Sequence, residues 1–75
     1  MKIENEVYVL TKEVNGESVY LTDGRFGYEL DNDIRCALKA VNKITASYIR
    51  EDFEDETKMP SNLRVMPLKV TYEWE

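Results

Sequence analysis

The dipeptide Asn15-Gly16 constrains this chain more than any other feature. It separates two runs of β-forming residues, Val7 to Val14 and Val19 to Thr22. Asn-Gly readily takes up the positive-φ geometry that a two-residue hairpin turn demands. With these residues at the turn centre, Val14 lies opposite Glu17, Lys12 opposite Val19 and Leu10 opposite Leu21. Leu10, Val19 and Leu21 then share one face, which marks the core side. Asp23-Gly24 reads as a second turn, and Phe26, Tyr28 and Leu30 alternate as a short third strand that Gly27 weakens.

From Asp31 the spacing changes. Ile34, Ala37, Leu38, Val41, Ile44 and Tyr48 recur every three or four positions, and Asp31, Asn32 and Asp33 offer capping side chains. The pattern continues through Ile49 and Phe53 to about Glu56, so one amphipathic helix is expected over 32–56, with the β-branched Ile44-Thr45 pair as the place for a break in two. Unbroken, it would measure about 37 Å at 1.5 Å per residue. An eight-residue strand spans about 26 Å, so the last helical turns would overhang the sheet.

Met59 to Asn62 reads as a loop. Met66, Leu68, Val70, Tyr72 and Trp74 then alternate with Pro67, Lys69, Thr71 and Glu73 as a final strand, in which Pro67 belongs on an edge or at a bulge. The expected class is α+β: a small antiparallel sheet of three to four strands packed on one long or broken amphipathic helix, in a single domain over 1–75.

A chain of 75 residues buries only about 60 to 65% of its unfolded surface. Its core is thin, and a homodimer would reinforce it. The formal charge of -5 disfavours nucleic acid and anionic lipid as partners and favours basic ones. With one cysteine and no histidine, there is no intrachain disulfide, no Cys/His metal spacing and no histidine for acid/base work. Cys36, near Leu38 and Ala40 on the expected helix, reads as a buried, inert thiol. Gly24-Arg25-Phe26-Gly27 is too short to cradle a phosphate. No cofactor, metal or catalytic residue is therefore expected. The absence of an apolar leader or a long apolar run points to the cytoplasm.

The functional lead is the acidic cluster Glu51, Asp52, Glu54, Asp55 and Glu56. Carboxylates at a helix C-terminus oppose the macrodipole, and Glu51 with Asp55 and Asp52 with Glu56 are like-charged i,i+4 pairs. One reading is a negative surface for a basic partner, extended by Asp31 and Asp33, which in the extreme imitates nucleic-acid phosphates. The plainer reading is a solvated, frayed helix end. The same residues lack the spacing and the central glycine of a calcium loop. Most of the aromatic residues read as core, and Trp74, close to the end of the final strand, as a core or dimer contact or a partner anchor.

The chain resembles the small acidic early proteins of phages that infect Gram-positive bacteria, through the Glu-Val-Tyr-Val-Leu-Thr strand over 6–11, the Tyr20-Leu21-Thr22-Asp23-Gly24 turn and the closing Val70-Thr71-Tyr72-Glu73 strand. That resemblance implies a host-takeover inhibitor acting in the host cytoplasm on a DNA-binding protein, polymerase component or nuclease, with DNA mimicry as one mechanism. It assigns no site residues. An alternative of another class is a structural or assembly protein that associates through its sheet edge and Trp74.

Overall fold

The computed structural model describes residues 1–25 and 27–75. They form β1 (Lys2–Val14), β2 (Glu17–Gly24), β3 (Gly27–Asp31), a 3-10 turn (Ile34–Cys36), α1 (Lys43–Thr57) and β4 (Arg64–Glu73). The four strands make one antiparallel sheet in the order β3-β2-β1-β4, and α1 packs against it. The class expected from the sequence is the one observed.

Asn15 and Gly16 have φ values of 53° and 84°, and they set the expected register, Val14 opposite Glu17 and Lys12 opposite Val19. The second turn differs from expectation. Asp23 and Gly24 still belong to β2, paired with Tyr28 and Gly27, so the chain reverses two residues later. Phe26, expected in the third strand, lies outside the described residues.

Beyond Thr11 the first hairpin opens, and Leu10 lies opposite Val65 of β4. The expected ladder pair of Leu10 with Leu21 is not made. Instead the Leu38 amide donates to the Leu21 carbonyl at 3.0 Å, while Tyr8 and Ala40 exchange amide-to-carbonyl bonds of 2.9 and 2.8 Å. Residues 38–40 are thus wedged between β1 and β2. Leu10 and Leu21 still meet in the core with Ala40, Ala46 and Leu63, and Leu21 has no exposed surface at all. Val9, Thr11 and Thr22, which alternate with Leu10 and Leu21, are buried too. The Thr11 hydroxyl is satisfied by the Val19 carbonyl at 2.8 Å.

This wedge explains why the long helix does not form. Asp33 does cap, but it caps the 3-10 turn, its carboxylate accepting from the Arg35 amide at 3.0 Å, and Ala37 is already extended. The helix begins only at Lys43, where the Asn42 side chain accepts from the Thr45 amide at 2.8 Å. With 15 residues it is about 22 Å long, shorter than an eight-residue strand, so the length that made an overhang expected is not reached. The buried stripe also moves: Ala46, Ile49 and Phe53 face the core, whereas Val41, Ile44 and Tyr48 are 77%, 66% and 65% exposed. Cys36, expected buried on the helix, is exposed in the 3-10 turn.

β1 and β4 pair from Thr11 with Arg64 to Lys2 with Glu73, well beyond the reach of β2. Residues 2–6 and 71–73 are exposed, so this end of the sheet is a two-stranded ribbon standing away from the helix. Ile3, Val7, Leu68, Val70 and Tyr72 alternate onto one face of it, and Lys2, Glu4, Glu6, Lys69 and Glu73 onto the other. Pro67 lies on edge strand β4, as its lack of an amide hydrogen requires. No helix among the described residues is long and apolar enough to cross a membrane.

Candidate functional site: an acidic groove between the helix and the β2–β3 hairpin

The five clustered acids do not act as one surface, because their places on α1 send them to different neighbours. Glu54 is a structural residue. Its carboxylate accepts from the backbone amide and hydroxyl of Ser61 at 2.9 and 2.7 Å, tying the helix end to the loop before β4. The two Ser61 bonds hold the Glu54 carboxyl below the usual range, because both favour its charged form. Ser61, itself buried, relays the connection by accepting from the Leu63 amide at 3.2 Å. Asp55 pairs with Lys58 at 3.6 Å, with both side chains well exposed; such a pair contributes little. Glu51 is exposed on the helix.

Asp52 and Glu56 are one helical turn apart and face the β2–β3 hairpin. With Asp23, Gly27, Tyr28, Leu38 and Ile49 they line an open groove of about 410 Å³. The Tyr28 hydroxyl donates to Asp52 at 2.8 Å, and its ring meets Phe53 edge-on with centroids 6.0 Å apart. The Tyr28 hydroxyl is pushed above its ordinary range, first by the hydrogen bond to Asp52, then by burial and by the negative charge of Asp52, Glu56 and Asp23. Three carboxylates from two chain segments, α1 and β2, therefore act on one phenol. The groove floor, formed by Tyr28, Leu38 and Ile49, is apolar, and its rim is anionic.

The other sequence-derived candidates lie apart from this groove or serve the fold. Asp31 accepts from the Asp33 amide at 2.8 Å, and Asp33 is paired with Arg35 at 3.0 Å, which lowers its pKa. Both shape the 3-10 turn. Trp74 is 44% exposed beyond the end of β4, and its backbone pairs with that of Met1. Tyr72 is exposed as well, so these aromatics are not core. No group of three or more acidic or cysteine side chains among the described residues is placed to hold a metal ion.

Sequence reasoning missed Asp23 and Tyr28. A turn placed at Asp23-Gly24 removes Asp23 from the strand, whereas the observed register sets it opposite Tyr28. The available signal was the phenol itself, since a tyrosine packed against a core seeks a partner for its hydroxyl. Comparison with protein-family models, with curated proteins and with solved structures finds no match to this chain.

Proposed function

We propose that this is a non-catalytic binding protein that receives a lysine or arginine side chain of a basic partner in the groove between α1 and the β2–β3 hairpin. The observation that carries this reading is the placement of Asp23, Asp52 and Glu56 around a floor of Tyr28, Leu38 and Ile49. Lysine and arginine carry an apolar stem below a charged head. The floor suits the stem and the three carboxylates suit the head. Imitation of a row of phosphates is less well supported, because Glu54 is turned to Ser61 and Asp55 to Lys58. In the setting that the phage resemblance implies, the partner is a basic, nucleic-acid-binding host protein, and the net charge of -5 favours its approach.

The test is a titration with an arginine- and lysine-rich peptide followed residue by residue by NMR. Shifts concentrated at Asp23, Tyr28, Leu38, Asp52 and Glu56, weakened by salt and lost in Asp52→Asn/Glu56→Gln, are expected. Shifts spread evenly over Glu51, Asp55, Glu13 and Glu17 as well would reject the groove in favour of a diffusely solvated acidic surface.

A further inference from the structure

The ribbon formed by 2–7 of β1 and 68–73 of β4 has two edges of different character. In an antiparallel ladder, the amide and carbonyl of each residue point to one side, and successive residues alternate. Tyr8 exchanges both of its bonds with Ala40, away from β4. Lys2, Glu4 and Glu6, which alternate with it, therefore also turn their backbone groups away from β4. Beyond the Ala40 bridge no described strand lies there. By the same alternation Pro67, opposite Tyr8, faces the outer edge of β4. That edge lacks an amide hydrogen near its middle, a device that discourages further pairing. The β1 edge carries no such block.

We propose that the open edge of β1 pairs antiparallel with the same edge of a second copy, about a two-fold axis at Glu4. The charge pattern selects this occupant. In that register Lys2 of each copy lies opposite Glu6 of the other, and the two Glu4 residues meet at the axis. Each Glu4 already has compensation within its own chain, from Lys2 at 3.1 Å and Lys69 at 3.7 Å. Residues 2, 4 and 6 are the ones with free backbone groups, so this register uses all three, and it stays clear of the Ala40 bridge at Tyr8. Isolated two-stranded ribbons are marginal, whereas three or more strands are self-supporting. Pairing turns two such ribbons into four continuous strands, with Ile3, Val7, Leu68, Val70 and Tyr72 of both copies on a common face. A contact of this length is smaller than a standard interface, and the dimer is expected to be a weak, reversible one. This inference is independent of the acidic groove.

Sedimentation equilibrium from about 1 to several hundred micromolar, a range chosen to bracket micromolar dissociation, tests it with three variants. The parent chain is expected to pass from monomer to dimer. Glu4→Pro removes the outward amide and, with the side chain, the exposed ion pairs to Lys2 and Lys69, but leaves the β4 ladder intact, so it should be monomeric at every concentration with an unchanged circular dichroism spectrum. Lys2→Glu and Glu6→Lys should each be monomeric alone, because each places like charges opposite one another. Mixed in equal amounts, they should form a heterodimer, because the facing pairs on either side of the central Glu4 pair are then both Glu with Lys. A parent chain that stays monomeric, a dimer that survives Glu4→Pro, or a mixture that does not associate would each overturn the proposal.

Discussion

The hydroxyl of Tyr28 on β3 donates a 2.8 Å hydrogen bond to Asp52 on α1, and this bond joins the edge hairpin to the helix across the acidic groove. Tyr28→Phe keeps the ring against Phe53 and removes only the bond, so a loss of about 0.5 to 1 kcal/mol is expected in urea unfolding. Tyr28→Ala also forfeits the packing and should cost several times more.

The same bond sets a pH dependence. Its hydroxyl is held above its ordinary value of 10.0 in the folded chain. The stabilisation is therefore complete below the unfolded value and is lost as pH rises through the folded one. Asp52→Asn should let Tyr28 ionise at lower pH, read as the mid-point of its tyrosinate signal by NMR. An unchanged mid-point would show that Asp52 does not hold this proton.

Glu54 predicts the opposite limb. Its pKa is depressed from an ordinary 4.5 by the Ser61 bonds, so its contribution is complete above that value and drains away as pH falls through the folded-state pKa. Thermal melts should show a smaller acid-induced loss in Glu54→Gln than in the parent. Ser61→Ala leaves the buried Leu63 amide without its acceptor and should cost about 1 to 3 kcal/mol at neutral pH.

The two apolar stripes of the helix region should respond differently to truncation. Leu21→Ala opens a cavity in the core and should cost about 2 to 5 kcal/mol, much of the roughly 4 to 11 kcal/mol available to a domain of this length. Ile44→Ala, on the exposed side, should change stability by less than about 0.5 kcal/mol. Equal losses would place Ile44 in the core.

Cys36 should react with a thiol reagent in native buffer as completely as in denaturant, because it is exposed in the 3-10 turn. Mass spectrometry after brief alkylation distinguishes this from a buried thiol.

The parts of the fold legible in the sequence are those set by local chemistry. Asn15-Gly16 determined a turn and four residue pairs around it, and the alternation from Met66 onward determined β4, with Pro67 on an edge. What misled was a helical spacing that tertiary pairing overrode. Ile34, Ala37 and Leu38 repeat as a helix would, yet backbone bonds from Leu38 and Ala40 to the sheet draw that segment into extended form. No local signal reports a bond to Leu21 or Tyr8. The acidic groove was half legible for the same reason: Asp52 and Glu56 stood out in sequence, whereas Asp23 and Tyr28 join them only through a register that a misplaced turn had hidden.

The pairing of β1 with β4 also bears on the order of folding. β1, the first strand of the chain, finds its longest partner in the last. The β1–β2 hairpin can close early, but most of β1 must wait for residues more than fifty positions further on. Closing so large a loop costs entropy before any contact repays it, and topologies of this kind fold slowly for their size. On a ribosome, the sheet stays incomplete until Arg64 to Glu73 has emerged. The rate-limiting event should then be the capture of β4, visible as strongly reduced folding rates when Val65 or Leu68 is truncated and unchanged rates when Ser18 is.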